Sequence, residues 1–487
     1  MTRARRALSP SQPLPLGAPR LELLQEPSGG AGRVPRALVV ASAAIVGTSL
    51  FATAPLTDAS TGVPISDGKL ALPFLYKVFA PICDTLDTIS LFSERQHLAF
   101  IATCALFYAL FRWRSRTAGA GGWSRAGKEC LLAAMALLAV VAVYAGGTML
   151  PRPTARLAMS SPSAVVVDFH SHTAFSWDGR ADFTPIENRR WHEESGFDVA
   201  YITDHGTFKG AAAAARLNPV RAGDGTVILS GIEVRSEGRH LNVLGTDARD
   251  SAAYKSDDLN EGVFLRTVRS PNTPPPIVLM TLPGHLKAEP GAIRIDALEI
   301  SDAAPRALSQ IDAQRSSLLG RARNRRFAVV AGSNDHGWAH ASPAWSVMEI
   351  PGWRSMSPHE LDVAIRTAVL QRGYAAVRVV ERRIGGPVSI GATAMTVPVA
   401  LWHMSTTVSW PERASWLAWV WIGYLVAGLT SYLARARLPE ATGLRRRGSH
   451  GQTRSQWWAS AAIPVPTIAP TPPPSATPIV APLAKAP

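Results

Sequence analysis

The stretch Val165–Gly179, VVVDFHSHTAFSWDG, decides how the rest of this chain is read. Three β-branched valines lead into Asp168, Phe169, His170, Ser171 and His172. Such a run predicts a buried strand. Side chains two apart on a strand point the same way, so His170 and His172 share a face. Asp178 follows shortly after. Two imidazoles at a strand end with a carboxylate just beyond are the beginning of a metal site. The competing reading is a polar strand end with solvated histidines.

Outward from this stretch, strand-like runs recur at Ala164–Phe169, Val199–Thr203, Val227–Leu229, His240–Leu244, Ile277–Thr281, Ala297–Ile300 and Phe327–Ala331. Helical stretches such as Thr184–Ser195 and Ala304–Arg323 lie between several of them. Strands alternating with helices predict a parallel α/β fold, and this number of units suggests a barrel with its chemistry at the C-terminal strand ends. Polar residues gather there: Asp204 and His205 in YITDH, Glu233 in SGIEV, His240 opening HLNVLG, His285 in LPGH, and Asn334, Asp335 and His336 in GSNDHG. His192, mid-helix in RRWHEES, reads as a surface residue. Singly, each has an ordinary explanation: a satisfied histidine, a helix cap for Asp204, an ion-pair partner for Glu233. Together, five or six imidazoles and several carboxylates on one side of a barrel are costly unless metals share the charge.

The ordered set DFHSHT…DG, YITDH, GIE, HLNVLG, PGH and GSNDHG resembles the PHP (polymerase and histidinol phosphatase) family, over about Ala164 to Gly337. The resemblance implies a distorted (β/α)7 barrel with two or three divalent ions, zinc, manganese or iron, hydrolysing phosphate esters by a metal-activated hydroxide. It implies that His170 and His172 bind the first metal and that Asp178 and His205 bind a second. Glu233 would bridge, His240 and His285 would complete a third position, and His336 would close the set. Asp178, Glu233 and His205 are the expected catalytic residues. One departure is present. The family motif ends Asp-x-His, whereas Asn334 stands at the aspartate position and Asp335 is shifted by one. Either Asn334 or Asp335 would then coordinate, or the centre is degenerate and the barrel is a metal- or phospho-ligand-binding sensor. Hydrolysis of a non-phosphate bond is a third reading. Arg180, Lys209 and Arg239 are the nearest basic groups for substrate, and Trp338 and His340 are candidates for the pocket mouth.

The flanks set the compartment. Residues 151–400 hold 28 of the 50 Lys and Arg and 26 of the 36 Asp and Glu, so nearly all of the +14 charge lies outside them. A nucleic-acid protein would carry its excess on the folded domain, which argues against that partner. The excess instead flanks apolar runs at Leu38–Ala54, His97–Trp113, Cys130–Leu150 and Trp416–Leu433. Four spans put every basic cluster on one side, with the catalytic domain extracytoplasmic and both tails cytoplasmic. Leu70–Phe92 carries Lys77, Asp84 and Asp87 and reads as interfacial or re-entrant. The three cysteines, Cys83, Cys104 and Cys130, all precede the histidine motifs and supply no zinc motif to them. The expected organisation is a disordered basic tail (1–36), a membrane region (37–150), a hydrolase domain (151–400), a last span (415–434) and a disordered Pro-rich tail (435–487). The expected partners are the membrane and a phosphorylated small-molecule or lipid-linked substrate.

Overall fold

The computed structural model describes residues 34–114, 123–236, 239–247, 274–281, 294–386 and 389–436. The strands in chain order are β1 (Thr57–Asp58), β2 (Gly68–Ala71), β3 (Arg156–Met159), β4 (Ala164–Ser171), β5 (Val199–Ile202), β6 (Val227–Ser236), β7 (Arg239–Leu244), β8 (Ile277–Met280), β9 (Ala297–Ser301), β10 (Ala328–Ala331), β11 (Ala344–Glu349) and β12 (Arg378–Glu381). Every residue of β4 is buried, as a strand covered on both faces requires. Ten strands form one curled sheet in the order β1-β12-β11-β4-β5-β6-β7-β8-β9-β10, and β2 pairs separately with β3.

Strands β4, β5 and β6 run parallel, as do β8, β9 and β10. Strand β7 is antiparallel to both neighbours, and β11 and β12 are antiparallel additions beside β4. The alternating βα reading therefore holds on either side of β7 but not through it. Beyond β10 the chain meets the end of β4 in a parallel bridge between Ser171 and Asp335. There Asn334 N–H donates to the His170 carbonyl at 2.7 Å and His172 N–H to the Asp335 carbonyl at 3.0 Å. The sheet is thus a mixed, curled α/β sheet in which the chain beyond the end strand β10 returns to β4 at the histidine motif.

Its interior is apolar. Val165, Val167, Phe169, Tyr201, Leu279 and Val330 pack in one cluster with Leu361 and Ile365 of the helix Pro358–Arg372. Burying each such side chain contributes about 1.5–3 kcal/mol. Outside the sheet lie the helices Pro185–Ser195, Lys209–Ala215 and Pro305–Arg325. The first begins where the Thr184 hydroxyl accepts from the Glu187 N–H and ends at Gly196 with φ of 84°, a left-handed stop.

Before the sheet come the helices Arg36–Gly47, Phe74–Val78, Ala80–Ser90, Glu94–Arg114 and Trp123–Met149; Trp410–Ala436 follows it. Among the described residues two helical stretches are long and apolar enough to cross a membrane, Ala126–Met149 and Trp410–Leu433. They contain two of the four expected spans. Of the others, Leu38–Ala54 is an apolar helix that ends at Gly47 and continues as one tighter turn, Thr48–Phe51. His97–Trp113 lies in a 21-residue helix with Glu94, Arg112 and Arg114 at its ends. The 70–92 region forms two helices too short to span. Both of its aspartates are hydrogen-bonded. Buried Asp87 accepts from Tyr76 Oη at 3.0 Å, Arg152 Nε at 3.1 Å and Arg382 at 3.1 Å, and Asp84 accepts from Trp416 Nε1 at 2.9 Å. Arg382 directly follows β12, so this carboxylate ties the N-terminal helices to the sheet.

The chain divides into two compact units, Met1–Leu425 and Val426–Pro487, and the described part of the second is the end of the last helix.

Candidate metal centre

The register of β4 against β5 shifts between Asp168 and Ser171. Asp168 stands opposite Ala200 and Ser171 opposite Ile202, so two β4 residues face one β5 residue. Such a bulge re-aims side chains. Before it, Val165 and Val167 point inward, while Asp168 reaches out to His192 on the helix Pro185–Ser195 at 2.8 Å. Past it, His170 turns inward to meet Glu299 of β9, with Nδ1 3.1 Å from Oε1.

That contact fixes the histidine. Both ring nitrogens face a carboxylate, Nδ1 that of Glu299 and Nε2 that of Glu233. His170 Nε2 lies 3.0 Å from His172 Nε2 and 3.0 Å from Glu233 Oε2, and His172 Nε2 lies 3.2 Å from the same oxygen. Three potential ligand atoms thus converge on one point, the arrangement a bound cation would hold. The groups form adjoining clusters: His170–His172–Glu233, His172–His205–His336 and His205–Glu233–His240, with a further one of His170, Glu299 and Asp302. Asp178 bridges two imidazoles, 3.3 Å from His205 Nε2 and 3.2 Å from His336 Nε2. His336 Nε2 is also buried without a hydrogen-bond partner of good geometry. By donor chemistry, spacing and this orphaned nitrogen, the residues fit a divalent metal centre.

Protonation follows the same logic. Burial pushes His172 down to about 3, assisted by repulsion from His336 and His170, so it is neutral as a ligand must be. Burial also lowers His205. Burial alone would raise Glu233, but the positive charge of His170 and hydrogen bonds from the histidines outweigh it and hold it well below the usual carboxylate range. Burial opposes a charge on His170, yet Glu299 and Glu233 overcome it and raise its pKa well above the ordinary value. Glu299 and Asp302 are both raised, first by burial and also by neighbouring carboxylates. The site holds more buried carboxylate than cation, a surplus that bound divalent ions would neutralise.

Backbone topology explains the membership. His205 and Glu233 follow or end parallel strands and meet in a bridge of their own. His240 opens a strand, yet reaches the same end because β7 runs antiparallel; its Nδ1 is 2.5 Å from Glu233 Oε1. Gly332 permits the close approach of β10, since a Cβ there would lie 2.1 Å from Glu299 Oε1 and 2.5 Å from His170 Cβ.

Two expected ligands are engaged elsewhere. Asn334 is left-handed, with φ of 44°, and its amide donates to Asp302 at 3.1 and 3.3 Å. Its carbonyl meets His336 Nδ1 at 2.9 Å. Asp335 turns Oδ1 onto the N–H groups of Gly337, Trp338 and Ala339, at 2.8, 3.0 and 3.0 Å, and so caps a turn. Asp335 stands in none of the ligand clusters among the described residues, and its Oδ2 is buried without a hydrogen-bond partner. His285 lies outside the described residues. Asp204 binds Thr173 through both oxygens and positions the loop after β4.

Sequence reading missed three features. Glu299 was hidden inside a strand, though a carboxylate in an apolar run is itself a signal. Asp302 sits just past that strand's end, where the other polar groups were sought. His192 is fully buried, not a surface residue: Nε2 holds Asp168 and Nδ1 meets the Asn188 carbonyl at 2.7 Å. Of the remaining expectations, Trp338 is half exposed beneath the Arg180 guanidinium, 5.6 Å from its ring centre. His340 bonds the Thr148 carbonyl at 3.0 Å.

No protein-family model and no curated protein matches the chain. Among solved structures the chain is similar to PsfC from Pseudomonas syringae PB-5123, at 12% identity and a TM-score of 0.32, covering 50% of this chain and 100% of that one. It is similar to a two-domain protein from Bacteroides vulgatus containing a predicted PHP-like metal-dependent phosphoesterase, at 14% identity and a TM-score of 0.27, covering 42% and 63%. The lesion-specific endonuclease PfuEndoQ from Pyrococcus furiosus shares 12% identity at a TM-score of 0.30, covering 44% and 57%.

Proposed function

We propose that this chain is a membrane-anchored, metal-dependent phosphoesterase. One observation carries the reading: His170, His172 and Glu233 aim three donor atoms at one point, with further imidazoles in contact. His170, His172, Glu233, His205, Asp178, His336 and His240 would hold two or more divalent ions. Bound there, such ions would acidify a coordinated water and neutralise phosphate oxygens. The chain's own residues do the rest. Glu299 orients His170, and Asp178, between two imidazoles, can accept a proton from the attacking water. In the reaction a water oxygen bonds to phosphorus, the ester P–O bond breaks, and the departing alkoxide takes a proton. The helices Ala126–Met149 and Trp410–Leu433 would anchor the chain, and the basic flanks favour an extracytoplasmic catalytic domain.

The engagement of Asn334 with Asp302 favours a second reading, a binding barrel without turnover. Metal analysis of the purified full-length protein, combined with a panel of phosphate esters, separates the two. Two or more ions per chain and hydrolysis, both lost in His172→Ala, support the enzyme. One ion or none with no turnover refutes it. A His172→Ala protein with undiminished metal and activity refutes the site.

A further inference from the structure

A cavity of about 450 Å³ opens directly off the candidate metal centre. Asp178, Asn334 and His336 line it on the barrel side. Leu86, Ile89 and Val143 line it on the helix side, and the lining is mostly apolar. A pocket of a few hundred cubic ångströms with a polar end and apolar walls is the shape of an amphiphile site. Its far wall is not a random surface. Val143, Tyr144, Gly147 and Thr148 are the last turns of the apolar stretch Ala126–Met149, the more hydropathic of the two candidate spans. Where this helix leaves a bilayer, the cavity lies at the membrane boundary. An aromatic residue stands at the same place: Trp338, half exposed, lines the cavity. Half-exposed tryptophans are the residues of a water–lipid interface.

Resting on the phosphoesterase reading, we infer that the substrate is a lipid phosphate. Its phosphate lies at the metal centre, and its hydrocarbon chain runs between Leu86, Ile89 and Tyr144 toward the bilayer. A small hydrophilic phosphate ester would leave this apolar wall wet. A long chain buries it.

Gly147 allows a direct test. A Cβ there would stand in ordinary contact with Leu86 Cδ2 at 3.7 Å, and Gly147 and Leu86 both line the cavity, so a larger side chain takes up cavity space. Leucine also suits a helix better than glycine. The experiment measures kcat/KM for propyl, octyl and dodecyl phosphate, each below its aggregation concentration, with the full-length protein in detergent. Each buried methylene favours binding, so kcat/KM rises about a hundredfold or more from propyl to dodecyl, chiefly through KM. In Gly147→Leu this dependence on chain length collapses to about threefold or less. A wild-type protein that hydrolyses all three esters at equal efficiency overturns the lipid inference and leaves the phosphoesterase standing. A chain-length dependence that survives unchanged in Gly147→Leu overturns the assignment to this cavity. Hydrolysis of none of the three, with metal bound, overturns the underlying reading as well.

Discussion

Replacing Glu299 with glutamine tests the centre at one remove from its proposed ligands. Glu299 is fully buried and holds His170 Nδ1 at 3.1 Å. Glutamine keeps the shape and an acceptor oxygen and removes only the charge. A hydrogen bond to a charged group contributes about 1.5–3 kcal/mol and a neutral one about 0.5–1.5, so the exchange loses about 1–1.5 kcal/mol of orientation. Lost ligand basicity adds to this, and supporting carboxylates of this kind typically change metal affinity by about 10–100-fold. The metal-free protein moves the other way. Glu299 lies among Glu233, Asp302 and Asp168, and burial with these neighbours raises its pKa. Removing one buried anion from that group relieves repulsion. The prediction therefore has opposite signs: Glu299→Gln binds a divalent ion about tenfold or more weaker, while its chelator-treated form melts no lower than wild type. Calorimetric titration of the chelated full-length protein, beside thermal melts of the same samples, reads both. Affinity within about twofold of wild type would refute the orienting role. A large loss of apo stability would show that Glu299 is a structural anchor.

His192→Ala strips buried Asp168 of its imidazole partner, and unpairing a buried charge costs about 3–5 kcal/mol; thermal melts should fall by about 6 °C or more, and an unchanged melt would mean the pair is slack. Asp198 has a pKa raised from 3.8 to about 6 by burial. Its contribution to stability is present below the unfolded value and is lost as pH rises through about 6. Asp198→Asn should match wild type near pH 4 and exceed it by about 1–2 kcal/mol near neutrality, a figure discounted for partial exposure. Denaturant melts at both pH values decide, and a difference that does not grow with pH refutes the linkage.

What could be read from sequence was the part governed by local pattern. The valine run specifies β4, and spacing of two keeps His170 and His172 together. Parallel strands collect chemistry at one end, which is why His205 and Glu233 meet. The remainder depends on pairing that no local pattern encodes. The bulge that turns His170 inward exists only in the register with β5. His240 reaches the site only because β7 reverses. Asp335 gives Oδ1 to its neighbours' N–H groups once the turn closes, while its Oδ2 is buried without a hydrogen-bond partner. His192 is hydrophilic in an amphipathic helix, and only packing against β4 reveals its partner.

The Asp87 carboxylate changes how this protein can be cut. Arg152 and Arg382 flank the strands β3 to β12, but their shared counter-charge arrives from a helix 65 residues upstream of Arg152. A fragment beginning after residue 150 would lose this carboxylate together with the helices packed over the two guanidinium groups. The sheet borrows its neutrality from the N-terminal helices. Expression of a truncated chain therefore calls for retaining Asp87, or for replacing the arginines with uncharged residues of similar length.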